Sequence, residues 1–345
     1  MSISVIVGGQ YGSEGKGKAC LHFAREFNAI AAVKTSGTNA GHSVYDAQGN
    51  KHVFRVLPTA CLHSDTACVI GPGAVFSLDL LRAEMQEAKL PDERLMIHPN
   101  AGIITGDMQN AERWSPEMVS IGSTASGTGA ATMHRIARDS QFVRACEIPE
   151  LDRYLLDTTQ LMNGWLKEGR HIIVEGCQGF GLSIYHTPLY PYATSRDTTA
   201  SAFVSEAGLS VFDVENVIQV LRTYEIRVAG LSGPMYHETS WEQVTENARS
   251  EEPIIEYTSV TKKVRRVGYF DHALVRRAVE VNKPNITVMN FMDYIGEEDW
   301  HYGRTKMGPE RYRFIDKVEA ETGCKVTHVG FGGDDIRRIE EAAPL

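Results

Sequence analysis

The sequence has little of what marks several large classes of protein. Cysteine is sparse: Cys20, Cys61, Cys68, Cys146, Cys177 and Cys324 are scattered over 345 residues. That excludes a disulfide scaffold, and the closest pair, Cys61 and Cys68, lacks the spacing of zinc ligands. The cysteines read as reduced and mostly core, as expected of a cytoplasmic protein. No apolar run approaches the ~20 residues that span a bilayer. The opening Met1-Ser2-Ile3-Ser4-Val5 carries neither a basic segment nor a cleavage site, so neither a secretory leader nor a membrane partner is expected. There is no basic excess: 35 Lys and Arg stand against 44 Asp and Glu, a net charge of −9. An acidic chain is poorly suited to non-specific nucleic-acid binding. Repeats, low-complexity tracts and long linkers are absent as well.

What is present is globular in composition, 42% hydrophobic and 23% charged. At about 150 residues per domain the length suggests roughly two domains; the spread of motifs along the chain favours a single one over 1–345. Short β-branched runs recur at Ile3–Val7, Ala29–Val33, Ala67–Ile70, His171–Val174, Val217–Leu221 and Ile286–Phe291. Helical spacing appears at Lys16–Phe27, Ser77–Ala88, Leu151–Leu166, Asp197–Ala207, Phe270–Val281 and Pro309–Thr322. Buried strands alternating with helices predict an α/β fold with a mostly parallel central sheet flanked by helices. Stretches 36–58, 100–146 and 230–268 resist the pattern and read as long functional loops.

The first strand runs into Gly8-Gly9-Gln10-Tyr11-Gly12-Ser13-Glu14-Gly15-Lys16-Gly17-Lys18, and a helix follows. Glycines free backbone N–H groups to face an anion, the helix N-terminus adds partial positive charge, and a lysine neutralises phosphate. The loop is P-loop-like but misses G-x-x-x-x-G-K-[ST] twice: five residues separate Gly9 from Gly15, and Gly17 stands where a magnesium-binding hydroxyl belongs. Asn39-Ala40-Gly41-His42 offers a general acid or a base-reading amide. Ile121 to Gly129 is a second candidate anion nest, followed by Arg135 and Arg138. Glu175-Gly176-Cys177-Gln178-Gly179 lies at a strand end, where parallel sheets hold ligands. Tyr190 to Thr199 leads hydroxyls into a helix, as helix caps or ligand contacts. Lys262, Lys263, Arg265 and Arg266 form a solvated face or a site for an anionic substrate. Asn290-Phe291-Met292-Asp293 ends an apolar strand with an acceptor. Together these describe a phosphate-rich ligand, a second anion site and no dedicated metal cage, as in a nucleotide-using transferase or ligase.

In order along the chain, the motifs resemble the adenylosuccinate synthetase family. Its Q-[WY]-G-D-E-G-K-G-K loop is similar to residues 10–18, N-A-G-H to 39–42, I-G-T-T to 121–124, E-G-A-Q-G to 175–179, Y-P-Y-V-T-S to 190–195, and T-x-R-x-R-R-x-G-W loosely to 261–269. The chain is short for the family, like its compact archaeal type. The resemblance implies the P-loop-like synthetase fold and the joining of aspartate to purine C6 through a 6-phosphoryl intermediate. It further implies that Gly12, Ser13, Glu14, Gly15, Lys16, Gly17, Gly41, His42, Arg265 and Asp293 hold the triphosphate. Ser13, Asn39, Ser123, Thr124, Arg138, Gln178 and Thr194 would hold the purine monophosphate, and Thr261, Lys263 and Arg265 the aspartate. Ser13 and Gly41 would meet Mg²⁺; Ser13, Lys16, His42 and Gln178 would be catalytic; and Arg138 would act across a homodimer interface.

Three positions depart from the family pattern. Ser13 replaces the aspartate that takes the purine N1 proton, Phe291 replaces the lysine of T-K-x-D, and Lys263 replaces an arginine. The first resembles a phage branch, the 2-amino-2′-deoxyadenylosuccinate synthetases, which condenses aspartate with dGMP. The expectation is therefore a ligase for dGMP driven by ATP or dATP with Mg²⁺, in the cytoplasm of a bacterial host. An ordinary IMP enzyme and a nucleotide-binding protein without catalysis are the alternatives.

Overall fold

A computed structural model describes residues 2–35, 37–258 and 262–342, with the backbone alone at residue 300. Nine strands form the central sheet: β1 (Ser2–Gly8), β2 (Ala31–Lys34), β3 (Ala67–Ile70), β4 (Leu95–Ile97), β5 (His171–Glu175), β6 (Val214–Arg222), β7 (Ile286–Asn290), β8 (His328–Phe331) and β9 (Asp335–Arg338). Their order is β9-β8-β7-β6-β1-β5-β2-β3-β4. Only β9 runs antiparallel, against β8. Strand order reverses at β1, which lies between β5 and β6. The crevice beyond the carboxyl ends of those three strands is the switch point where open α/β sheets bind ligands.

The alternation of side chains explains the layers. Val5 and Val7 of β1 join Val33, Val69, Ile172 and Val174 on one face, covered by Phe203 and Val204. Ile6 points to the other face with Ala32, Ile173 and Ile218, covered by Ala19, Cys20, Phe23 and Ala24. Both faces are apolar because both are covered, so the strands read as continuous hydrophobic runs. The first cover is α7 (Ala200–Ala207) and the second α1 (Lys16–Glu26). Phe23 is fully buried, which contributes roughly 1.5–3 kcal/mol.

The helices α2 (Leu78–Ala88), α9 (His272–Asn282) and α10 (Pro309–Thr322) lie close to their expected positions. The periodic stretch 151–166 is divided: a 3-10 segment Pro149–Tyr154 precedes α6 (Thr158–Lys167), because Asp157 caps a new helix by accepting the N–H of Gln160. The three stretches read as loops are partly regular. Residues 100–146 hold α3 (Gly106–Trp114), α4 (Pro116–Ser120) and α5 (Thr128–Ala137). These helices are short and separated by Ser115-Pro116 and by Gly122 to Gly127, which breaks the periodicity a longer window needs. Residues 42–54 form a hairpin, and 225–268 hold a small three-stranded sheet with α8 (Trp241–Asn247). No disulfide joins the six cysteines; five are buried and Cys146 is exposed.

Candidate active site

The loop after β1 is held from inside by its own glutamate. Glu14 Oε1 accepts the N–H of Gly12 at 2.8 Å and of Gln10 at 3.2 Å, and Oε2 meets Lys16 Nζ at 2.6 Å. A Cβ on Gly179 would collide with Glu14 Oε1, so the turn after β5 packs directly on this loop. Among the expected triphosphate residues, Glu14 is thus a scaffold: its carboxylate faces the interior and braces the loop. From the ends of the neighbouring strands come two further ties. The Gln10 carboxamide accepts from Arg222 N at 2.9 Å and donates to Arg222 O at 3.1 Å, and Asn290 Nδ2 donates to Glu14 O at 2.8 Å. The fully buried Arg222 guanidinium donates to Ser13 O at 2.8 Å, is ion-paired to Glu256, and lies 4.0 Å over the Phe291 ring. Ser13 sits at φ 61°, half-buried between buried Gly12 and Glu14, at the mouth of the loop.

Beside Lys16 lies a buried triad from three elements. Sheet register sets Glu175 of β5 directly beside Lys34 of β2, and Lys34 Nζ donates to Glu175 Oε1 at 3.0 Å. His42, at the start of the hairpin, donates Nδ1–H to the same carboxylate, which also accepts Thr59 N–H at 2.7 Å on its other oxygen. Burial, with the Lys34 ammonium, pushes the His42 imidazole down to about 4 against the opposing pull of Glu175. Burial works against the Glu175 anion, yet Lys34 and His42 outweigh it and hold the carboxyl below the usual range. His42 is therefore neutral, with a lone pair on Nε2, and this buried Nε2 has no partner among the described residues. The same histidine explains Gly17: a Cβ there would lie 2.9 Å from the His42 Cβ and 2.9 Å from Thr59 Cγ2. The hydroxyl residue of a P-loop has no room where His42 approaches.

Of the expected monophosphate residues, Asn39 and Thr194 meet each other and Gln178 lies against the glycine loop. Asn39 Nδ2 donates to Thr194 Oγ1 at 3.4 Å, and Asn39 Oδ1 is buried with no partner among the described residues. Gln178, at φ 53°, lies over Gly12: a Cβ on that glycine would be 3.9 Å from the Gln178 backbone. Gly37 abuts Thr128, which brings the 121–129 segment alongside. That segment is not an open anion nest. Glu112 of α3 fills it, accepting from Gly127 at 2.7 Å, Gly129 at 2.6 Å and Ala130 at 3.1 Å. Ser123 and Thr124 remain at its exposed rim, their hydroxyls tied to Ala125 N and Ser126 Oγ. Thr199 is the cap of α7, through Ala202 N.

Other expected residues are not drawn together. Arg138 is exposed at the far end of α5. Thr261 lies outside the described residues, and Lys263 is exposed in a turn closed by Thr258. The cationic run divides: Arg265 pairs with Glu256 at 3.0 Å and Arg266 with Glu238 at 2.7 Å, while Lys262 and Lys263 face solvent. Asp293 accepts from Gly332 N at 3.2 Å, with Arg304 at 3.5 Å. Sequence reasoning missed Lys34, Arg222 and Glu256. For Lys34 the available signal was a charge at the carboxyl end of an otherwise apolar strand, and for Arg222 a charge directly after Val220-Leu221 at a strand end.

The two residues expected to meet Mg²⁺, Ser13 and Gly41, offer oxygen donors, which suit a hard cation. The Ser13 hydroxyl and Gly41 carbonyl are neutral oxygens, while the nearby carboxylates of Glu14 and Glu175 are already committed to N–H groups and ammonium ions. Such a set fits Mg²⁺, which keeps phosphate and water ligands, better than a metal that needs its own protein cage.

Comparison with known proteins agrees with this geometry. The sequence model of the adenylosuccinate synthetase family matches residues 5–149 and 145–299. The adenylosuccinate synthetase of Methanocaldococcus jannaschii is 34% identical over 99% of this chain and 97% of its own. That of Archaeoglobus fulgidus is 33% identical over 96% of each. Among solved structures, the succinoaminodeoxyadenylate synthetase of cyanophage S-2L, bound to dGMP and dATP, superposes with a TM-score of 0.82 at 28% identity, over 98% of this chain and 95% of that one. The fully ligated adenylosuccinate synthetase of Plasmodium falciparum reaches 0.83 at 19% identity, over 96% and 97%, a likeness of fold.

Proposed function

The chain belongs to the adenylosuccinate synthetase family, ligases that condense aspartate with a purine nucleotide, and from that premise we propose that its purine is dGMP and its phosphate donor ATP or dATP. The reading rests on Ser13. The residue at the loop mouth is neutral and short, and its carbonyl is pinned by Arg222, so the position is fixed while the side chain leaves space. Guanine carries an N2 amino group next to N1 that hypoxanthine lacks. A carboxylate pressed against N1 would crowd that group, whereas a serine leaves room and still accepts a hydrogen bond. The likeness to the cyanophage protein bound to dGMP and dATP supports the same assignment.

In this mechanism purine O6 attacks the γ-phosphorus, the O6–P bond forms and the diphosphate leaves. The aspartate amine then attacks C6, the C–N bond forms and phosphate departs. Lys16 and the loop N–H groups neutralise the transferring phosphoryl group, since such transfer is mainly positioning and charge stabilisation. The free Nε2 of His42 faces the same charge. An arriving polyphosphate raises the pKa of the imidazole, which then serves as a cationic donor. Asn39, Thr194 and Gln178 orient the purine monophosphate, and Arg265 with Lys263 receives the aspartate carboxylates. Mg²⁺ would be held by Ser13 and Gly41 and, when bound, neutralises phosphate charge. Serine is a weak base, so N1 deprotonation runs through phosphate or water. General-base help is worth about 10²–10⁴-fold, which makes this a slow enzyme.

A homodimer belongs to the proposal. The packed helices α3, α4 and α5 expose Trp114 and Ile136, 78% and 73% accessible, together with Val119 and Met133, and α5 ends at Arg138. An apolar face next to an exposed arginine suits an interface that delivers Arg138 to a partner's monophosphate. The archaeal relatives, which are adenylosuccinate synthetases, favour IMP as the second reading. Turnover of dGMP and of IMP, each with aspartate and ATP, separates the two. The expected product is N6-succino-2-amino-2′-deoxyadenylate, with IMP poor, and Ser13→Asp should depress dGMP turnover more than IMP turnover. A wild type that converts IMP efficiently and leaves dGMP untouched overturns the reading.

A further inference from the structure

Along α1 from the phosphate loop, and away from every residue placed in the mechanism, His22, Glu26 and His328 meet. Their ligand atoms all lie within 4.8 Å of one another. His22 and Glu26 are one turn apart on α1, with Nε2 3.3 Å from Oε2. His328 opens β8 and packs against the same helix through Phe23, ring centroids 5.2 Å apart. Two of the three already have their other atom committed. Thr327 Oγ1 bonds His328 Nδ1 at 2.8 Å, and Arg338 bonds Glu26 Oε1 at 3.0 Å. What remains directed into the cluster is Glu26 Oε2, His22 Nε2 and His328 Nε2. The last belongs to a side chain only 5% exposed and has no hydrogen-bond partner among the described residues. A buried imidazole nitrogen without a partner is costly unless a ligand completes it.

We propose that His22, Glu26 and His328 bind a borderline divalent transition ion of the zinc type, which staples α1 to β8. Two imidazoles and one carboxylate are a common donor set for such an ion, with nitrogen ligands at about 2.0–2.1 Å and a fourth position left for water. The second-layer bonds of Thr327 and Arg338 are of the kind that orient metal ligands. Burial holds both histidines below their usual pKa, which keeps the lone pairs available. Lys18, Arg25 and Arg338 oppose a cation here, and Glu26 and Glu341 favour it. A cavity of about 350 Å³ lined by His22, Glu26, Lys18, Arg25, Tyr45 and Asp334 gives an entry path and room for the water. Magnesium is not the expected occupant, because it prefers oxygen donors in octahedral geometry. The staple would bear on the nucleotide end of the fold: Lys18, on the first turn of α1, is held by the carbonyls of Phe331 and Gly332 at the end of β8.

The test is a Co²⁺ titration of the full chain after chelator treatment, followed by visible absorption. One equivalent should give the intense bands of tetrahedral Co²⁺, bleached by one equivalent of Zn²⁺ and unaffected by excess Mg²⁺. Losing even an indirect partner of a metal costs about 10–100-fold in affinity, so His328→Ala and Glu26→Gln should each lose at least that. Zn²⁺ should also raise the Tm of the wild type and leave that of His22→Gln unchanged. His22 lies on the partly exposed side of α1, so this variant remains informative if His328→Ala does not fold. Absence of the bands, their persistence in His22→Gln, or their loss on adding Mg²⁺ overturns the proposal.

Discussion

The buried triad at His42 makes a measurable claim about acid stability. In the folded chain the imidazole is pushed down to about 4 from an ordinary 6.5, by burial first and then by Lys34. The unfolded chain therefore binds a proton that the native chain refuses between those two values. Stability rises with pH wherever the unfolded state holds more protons, so this histidine removes stability as pH falls below about 6.5, and the loss levels off near 4. At about 1.36 kcal/mol per unit the full difference is about 3 kcal/mol, and about 2 kcal/mol of it is lost by pH 5. The side chain is buried, so solvent screening does not reduce the figure. Glu175 acts lower: its depressed pKa contributes stability that is lost only below the ordinary carboxylate range, so it adds no slope between pH 5 and 7, while buried Glu225, raised to about 8, titrates alike in wild type and variant. The perturbation is His42→Gln, which keeps an N–H for Glu175 and removes the titration. Urea unfolding at pH 7, 6 and 5 should show the wild type losing about 2 kcal/mol more than the variant between the first and last. Other histidines with lowered pKa cancel in that difference. Parallel stability curves, or a steeper loss in the variant, would refute the assignment of a neutral His42.

Lys16→Ala should abolish ATP-dependent phosphate release. It should also cost about 3–5 kcal/mol in urea unfolding, because Glu14 stays buried without its cation; a variant with full phosphate release would show that the loop does not hold the triphosphate. For the dimer, mixing inactive Arg138→Ala with inactive Lys16→Gln should restore part of the activity through hybrid sites, and no recovery after verified subunit exchange would count against an arginine acting in trans. For the donor, Phe291 stands where the family pattern has a lysine, and the Arg222 guanidinium covers one face of its ring, which leaves the other face as a base-tolerant flat surface; ATP and dATP should then serve at least as well as GTP, and steady-state kinetics showing a strict GTP requirement would sink that expectation.

The strand, glycine loop and helix at the N-terminus were legible because β-branched residues, glycines and a 3.6-residue apolar period follow one another without interruption. So was His42, by its place in a distinctive tetrapeptide. Lys34 and Glu175 were not legible as a pair. They are 141 residues apart and become neighbours only through the parallel register of β2 and β5, which pairs Val33 with Val174 and then Lys34 with Glu175. Arg222 was hidden in the same way: it ends β6, and its partner Glu256 lies in an irregular stretch. The 121–129 segment misled for a related reason. Glycine and hydroxyl density marks a concave run of N–H groups, but not what fills it, and the carboxylate that does so comes from Glu112 on another helix.

These placements bear on why the loop departs from the P-loop pattern at two points. A P-loop sets a hydroxyl after its lysine to meet Mg²⁺. Here that space belongs to His42, since a Cβ on Gly17 would lie 2.9 Å from the His42 Cβ, and His42 is in turn anchored to Glu175. In the proposed reading the cation site forms elsewhere, at Ser13 and Gly41, from neutral oxygens. Ser13 cannot move to compensate, since Arg222 holds its carbonyl and Glu256 holds Arg222. A neutral residue at a fixed position binds a metal weakly by itself, so most of the ion's ligands must arrive with the triphosphate. Metal affinity and nucleotide affinity should then rise and fall together in this chain, and Ser13→Asp, which adds a carboxylate at the same fixed point, should uncouple them.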